Sequence, residues 1–298
     1  MSDVLDIQGL SKHYGSIKAV DGMRLHVESG QVFGILGPNG SGKTTTLGMV
    51  LGVIRPTSGD FEWFGGRYGE EHRTQIGSIL EKPNFYPNMS AYKNLRIAAM
   101  IKGASQNRVE ECVERVGLAP RMHDSFKTYS LGMKQRLAIA AALLGDPEVL
   151  VLDEPTNGLD PQGIIDIRAL IIDIAQQDKT ILLASHLLDE VQKVCTDFAV
   201  LRSGKPIYQG KVAGSFGEEV RLSLSHPDID GLIQLLEEHS SVERIERQGD
   251  RLLVSGNHGL EASELNRYLA AQGVYLSGLE TLVKNLEEQF LEILKDNA

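Results

Sequence analysis

The sequence is short of the features that mark several other classes of protein. Its two cysteines, Cys112 and Cys195, stand in separate helix-like patterns without metal-ligand spacing. A disulfide framework or cysteine-bound zinc is therefore not expected, and both read as buried, reduced thiols. No apolar run approaches the ~20 residues that a membrane-spanning helix requires; Leu137 to Leu144 is among the longest and carries several alanines. Met1-Ser2-Asp3-Val4-Leu5-Asp6 is acidic and lacks the basic-then-apolar layout of a secretory signal, which makes the cytoplasm the expected location. Positive charge is in deficit as well. Thirty Lys and Arg face forty Asp and Glu, a net charge of −10 with a pI near 5.3. That balance argues against a dominant attraction to nucleic acid.

What remains is an ordinary globular composition, 42% apolar over 298 residues. At ~100–200 residues per domain this length suggests two domains. The stretch that organises them is Gly37-Pro38-Asn39-Gly40-Ser41-Gly42-Lys43-Thr44-Thr45, which follows a strand-like run, Val32–Leu36, and opens a helix-like run, Thr46–Leu51. This is the G-x-x-x-x-G-K-[ST] pattern in its proper setting. Glycines let the backbone turn so that successive N–H groups face a phosphate chain, Lys43 reaches the β- and γ-phosphates, and Thr44 offers a hydroxyl to Mg²⁺. The positive end of the helix dipole adds to the attraction.

Around the loop the chain reads as β-rich at first, with strands at Val4–Ile7, Ala19–Val27 (interrupted by an Asp21-Gly22 turn) and Gln31–Leu36. Leu10–Gly15 reads as a loop in which Tyr14 either packs locally or stacks on a base. Further strands are expected at Asp60–Phe64 and Ile76–Leu80, the latter leading into Glu81-Lys82-Pro83-Asn84-Phe85-Tyr86-Pro87. Helical periodicity at Ala91–Lys102 and Gln106–Val116 marks residues 88 to 128 as a mostly helical insertion. The apolar strand Val149–Leu152 delivers Asp153-Glu154-Pro155 at its carboxyl end, the edge where open α/β sheets bind ligands. There Asp153 suits Mg²⁺ and Glu154 suits polarising a water for attack. Pro161 starts a helix, and Thr180–Ala184 is a buried strand presenting Ser185-His186. His186 either is a satisfied polar residue or donates to the γ-phosphate.

Between these motifs stands Tyr129-Ser130-Leu131-Gly132-Met133-Lys134-Gln135-Arg136, directly before an alanine-rich helix. With Tyr14, the P-loop, Asp160 and His186 in this order, the set resembles the nucleotide-binding subunit of ABC transporters over roughly residues 4 to 215. The resemblance implies a fold and a set of roles. The fold is an α/β P-loop ATPase domain with a β-rich antiparallel subdomain and a helical insertion. Tyr14 resembles the adenine-stacking aromatic, residues 37–45 the Walker A loop, and residues 129–133 the signature that acts on a partner's nucleotide. Val149–Asp153 looks like Walker B, with Thr44, Asp153 and Glu81 toward Mg²⁺. Glu154 looks like the catalytic glutamate, Asn157–Asp160 the D-loop at a dimer seam, and His186 the switch histidine. By the same resemblance the chain hydrolyses Mg-ATP as one of a homodimeric or otherwise paired set, on the cytoplasmic face of a membrane. The insertion between residues 82 and 128 would grip a separate integral membrane permease. An ATPase of this type acting on DNA or ribosomes is the competing reading.

Two positions depart from the family's pattern. The usual Leu-Ser-Gly-Gly-Gln is here Tyr-Ser-Leu-Gly-Met, which keeps Ser130 and Gly132, and Ser130 also fits a helix N-cap. Glu81 stands where glutamine is usual. With Asn157-Gly158-Leu159-Asp160, these variations resemble the bacterial branch that exports bacitracin, lantibiotics and related drugs. Residues 216 to 298 lie outside the resemblance. Strands at Val220–Leu224, Val242–Gln248, Arg251–Ser255 and Val274–Leu279 alternate with helices at Ile229–His239 and Glu261–Gln272, a β-α-β-β-α-β order that reads as a ferredoxin-like α+β domain. A last helix is expected over Leu282–Leu294.

Overall fold

The computed structural model describes residues 3–81, 83–212, 220–256 and 260–283. In chain order the first part runs β1 (Asp3–Tyr14), β2 (Ile17–Glu28), β3 (Val32–Leu36), α1 (Lys43–Val50), β4 (Ser58–Trp63), β5 (Ile76–Ile79), α2 (Ala91–Lys102), α3 (Gln106–Arg115), α4 (Leu131–Leu143), β6 (Val149–Asp153), α5 (Pro161–Ala175), β7 (Thr180–Ser185), α6 (Leu188–Val194), β8 (Asp197–Arg202) and β9 (Lys205–Lys211). The second part runs β10 (Val220–Ser225), α7 (Ile229–Glu237), β11 (Val242–Gln248), β12 (Arg251–Gly256), α8 (Ala262–Ala271) and β13 (Gly278–Val283). The chain divides into two compact units between Val212 and Ala213. The boundary expected near Ser215 falls outside the described residues.

In the first unit a six-stranded sheet has the order β5-β6-β7-β3-β8-β9, parallel except for the edge pair β8-β9. Every residue of β3, β6 and β7 is buried, as a sheet covered on both faces requires, so these strands read as unbroken apolar runs and not as alternation. The parallel register sets the site. Leu36 pairs with Ser185 and Asp153 with Ala184, which brings the ends of β3, β6 and β7 to one level of the sheet's carboxyl edge.

A second, antiparallel sheet has the order β2-β1-β4. Here the expected loop at Leu10–Gly15 gives way to strand, since β1 continues to Tyr14 and the turn falls at Gly15, where φ is +60°. Asp21-Gly22 is likewise no turn. Leu10 pairs with Met23 and Lys12 with Val20, so these two residues form a bulge opposite Ser11, whose hydroxyl accepts from Gly22 N at 2.8 Å. The helical insertion comprises α2 and α3, each N-capped by a serine: Ser90 accepts from Lys93 N and Ser105 from Arg108 N. Such caps contribute about 0.5–2 kcal/mol each.

The second unit is a four-stranded antiparallel sheet of order β11-β12-β10-β13, the split β-α-β arrangement of a ferredoxin-like domain. Leu222, Leu224, Leu252 and Val254 pack with Leu232 and Leu236 of α7 and Leu265 and Leu269 of α8. The last strand starts at Gly278, four residues beyond the expected Val274. Val274 and Leu276 are apolar because they pack on that core from a connecting segment, not because they pair in a sheet. Leu282 and Val283 accordingly belong to β13, and the expected helix from 284 to 294 lies outside the described residues. Among the described residues no helix is long and apolar enough to cross a membrane.

Candidate active site

The loop between β3 and α1 turns on two glycines with left-handed backbones, Gly40 at φ +81° and Gly42 at φ +105°. Gly42 has a second constraint, because a Cβ there would lie 2.4 Å from the carbonyl oxygen of Ala19 on β2. Pro38, Asn39 and Gly40 are exposed at the loop tip, whereas Ser41 and Lys43 are buried. Gly42 is the N-cap of α1 and provides no side-chain acceptor, so first-turn N–H groups point outward uncapped, as an anion site requires. The loop is braced from a place that the sequence did not signal: Gly204, between β8 and β9, donates to Ser41 O at 3.0 Å and accepts from Asp21 N at 2.8 Å.

Lys43 Nζ lies 2.7 Å from Gly37 O, 3.3 Å from Pro38 O and 3.2 Å from Oε1 of Glu154. Beside it, Thr44 donates its hydroxyl to Oδ2 of Asp153 at 2.7 Å. Asp153 Oδ1 is buried and has no hydrogen-bond partner among the described residues. Burial raises the Asp153 carboxyl above its ordinary range. The Thr44 hydrogen bond opposes that shift, the charges of Glu154 and Glu81 add to it, and Lys43 offsets it. A hydroxyl beside a carboxylate with one oxygen unsatisfied suits a hard divalent cation that completes its shell with phosphate and water. The residues thus fit Mg²⁺.

Glu154 follows directly, in a left-handed backbone conformation with φ +49°. Its N–H donates to Ala184 O at 2.9 Å, tying the end of β6 to the end of β7. Oε2 lies 2.7 Å from His186 Nδ1. Oε1 has the Lys43 charge nearby but no aligned donor among the described residues. A half-buried carboxylate so held can accept a proton from a water in front of it.

Of the residues singled out in the sequence, Lys43, Thr44, Asp153, Glu154 and His186 thus meet at one edge. Glu81 is exposed two residues after β5, with φ +62°, and its charge reaches Asp153. Tyr14 is half-exposed at the tip of the β1–β2 hairpin, with Lys12 Nζ 5.0 Å from its ring centroid. Thr45 is part-buried in the first turn of α1. Ser130, Gly132, Met133 and Asp160 line a separate groove of about 540 Å³. Within it Ser130 caps α4 by accepting from Met133 N at 3.3 Å, and Asp160 caps α5 by accepting from Gly163 N at 2.8 Å.

The pattern of a family described as "ABC transporter" matches residues 20–157. The bacitracin transport ATP-binding protein of Bacillus licheniformis is 37% identical over 304 residues, covering 99% of this chain and 98% of that protein. The chain belongs to the ABC transporter ATP-binding family. It is an ATPase of the branch that includes that protein and the lantibiotic transport ATP-binding protein of Streptococcus pyogenes, which is 37% identical over 212 residues, 71% of this chain and 93% of that protein. Among solved structures, cbiO1 of Clostridium perfringens, part of the ABC transporter complex cbiONQ, superposes with a TM-score of 0.65 at 29% identity. The match covers 73% of this chain and 92% of that one. A dimeric post-hydrolysis cassette bound to ADP and Pi superposes with a TM-score of 0.62 at 25% identity, covering 70% and 99%.

Proposed function

We propose that this ATPase cleaves Mg-ATP with Glu154 as the general base and powers a separate integral membrane permease that exports a peptide antibiotic, a drug or a related cargo. The observation that carries the reading is the convergence of Lys43, Thr44, Asp153, Glu154 and His186 on the carboxyl edge of β3, β6 and β7. Lys43 and the N–H groups of the P-loop bind the phosphates, and Tyr14 stacks on the adenine. Thr44 and Asp153 hold Mg²⁺, with Glu81 contributing from the loop after β5. The cation supplies charge neutralisation at the β- and γ-phosphates. Glu154 takes the proton from the attacking water while His186 orients its carboxylate and faces the γ-phosphate. Ser130, Gly132 and Met133 serve a partner's nucleotide, with Asp160 at the seam, so the working unit is a homodimer or a pair of related ATPase subunits. The partner arrangement is supported by the dimeric cassette described above, and the export cargo by full-length similarity to the bacitracin transport protein. The insertion carried by α2 and α3 engages the permease, which holds the ATPase at the cytoplasmic face of the membrane. Residues 216–298 form an accessory domain. Purification from membranes with the chain as bait, followed by phosphate-release measurements on the material recovered, tests this. A multi-span membrane protein recovered with Mg²⁺-dependent ATPase activity is the expected result, and recovery of ribosomes or DNA in its place contradicts it.

A further inference from the structure

Glu190 lies on α6, one turn beyond His186, where a sequence shows only an acid on a short helix. It is 1% exposed. Both carboxylate oxygens are engaged by hydroxyls. Oε1 accepts from Thr156 Oγ1, and Oε2 accepts from Ser185 Oγ at 2.5 Å. These donors are themselves buried, and each sits beside a residue of the active site. Thr156 is two residues after Glu154, and Ser185 immediately precedes His186. Ser185 Oγ also accepts from Leu187 N at 3.0 Å, so the hydroxyl brackets His186 from both sides.

A buried carboxylate is costly to maintain, and burial raises the Glu190 carboxyl above its ordinary range. Its two hydroxyl partners offset that cost only while both segments stay where they are. Glu154 has a further reason to need such a hold, because its left-handed backbone is a strained conformation for a residue with a side chain, and strain persists only where the surroundings over-determine it.

We propose that Glu190 is a positioning residue for ATP hydrolysis. Its carboxylate fixes the loop after β6 against the end of β7, and so holds the Glu154 and His186 side chains at their 2.7 Å contact. The inference rests on Glu154 and His186 acting in hydrolysis as proposed above. Glu190 acts through Thr156 and Ser185, which its carboxylate holds.

Glu190→Ala should leave Mg-ATP affinity unchanged and lower kcat by ~10²-fold, the scale expected when a reacting group is misplaced by about 1 Å. Glu190→Gln, which keeps the shape and one acceptor oxygen, should recover much of that loss. Thr156→Val removes one donor while leaving the carboxylate in place, and should lower kcat in the same sense; it carries the test if Glu190→Ala does not fold. Placed in a Glu154→Gln background, Glu190→Ala should lower turnover no further, because the loop then has no base left to position. Wild-type kcat in Glu190→Ala and Thr156→Val, beside an inactive Glu154→Gln, overturns the proposal and leaves the function standing. Parallel losses of affinity and kcat, or losses that multiply in the double variant, also overturn it. Wild-type turnover in Glu154→Gln alone would instead overturn the functional reading on which it rests.

Discussion

His186 Nδ1 stands 2.7 Å from Glu154 Oε2, a contact made between residues that follow adjacent parallel strands. The contact is set by the pairing of β6 with β7 and not by closeness in the sequence. Removing it as His186→Ala should leave nucleotide binding intact and reduce phosphate release by ~10²-fold, as expected for a misoriented reacting group. His186→Gln, which can still donate a hydrogen bond to Oε2, should retain part of the activity. Equal activity in the two variants would show that the contact does not matter.

Glu81 places a carboxylate where the resemblance to the family leads one to expect a neutral glutamine, and its charge is felt at Asp153. A carboxylate is a harder, anionic ligand than an amide, so it favours binding when Mg²⁺ is present and repels the γ-phosphate when it is absent. Glu81→Gln should strengthen metal-free ATP binding and shrink the stimulation by Mg²⁺. ATP titrations with and without Mg²⁺ check this, and identical Mg²⁺ dependence in both proteins would contradict it.

The helical insertion is tied to the ATPase core through Asp146, whose Oδ1 is 2.9 Å from Arg108 on α3 and 3.0 Å from Lys179 just before β7. The Lys179 hydrogen bond holds the carboxyl below the ordinary aspartate range; burial partly opposes this, and the charges of Lys179, Arg108 and Arg115 reinforce it. A depressed folded-state value stabilises the fold above the unfolded value and is lost as pH falls through the folded one. Asp146 is exposed, so the contribution is about 0.2–1 kcal/mol. Asp146→Asn keeps a residue that tolerates the φ of +50° found here. It should lower Tm by about 0.4–4 °C at pH 7, with the difference closing as pH falls below the ordinary aspartate range. A constant difference across pH would assign the effect to packing.

The P-loop and Asp153-Glu154 were legible because a phosphate site needs fixed residue types at fixed spacing. Glu190 was not, since burial of a helical acid depends on which strands α6 packs against. The continuity of β1 through Leu10–Tyr14 was masked because Gly9, at φ +64°, and several register shifts break the two-residue alternation by which a strand is recognised. Strands β8 and β9 went unread for a related reason. The first is apolar throughout its middle and the second is a part-exposed edge with Pro206, so neither carries the period of a half-buried strand. In the second unit, Val274 and Leu276 imitate a strand while serving as plugs on the core of α7 and α8.

The second unit has its own core of leucines and its own closed set of strand pairings. A chain ending at Val212 should therefore remain soluble and bind ATP with the affinity of the whole protein, as measured by titration with a fluorescent nucleotide. An insoluble or nucleotide-free product would mean that the two units complete one another's core.

In the proposed function Glu154 is the base that activates water, and binding is left to Lys43, Thr44 and Asp153. The most direct measurement is ATP binding and phosphate release by Glu154→Gln under identical conditions. The carboxamide matches the carboxylate in size but is not a base, and loss of a positioned base costs ~10²–10⁴-fold in rate. Wild-type ATP affinity, phosphate release lowered by that factor, and accumulation of an ATP-bound dimer are the expected results. Phosphate release at the wild-type rate would contradict that role for Glu154.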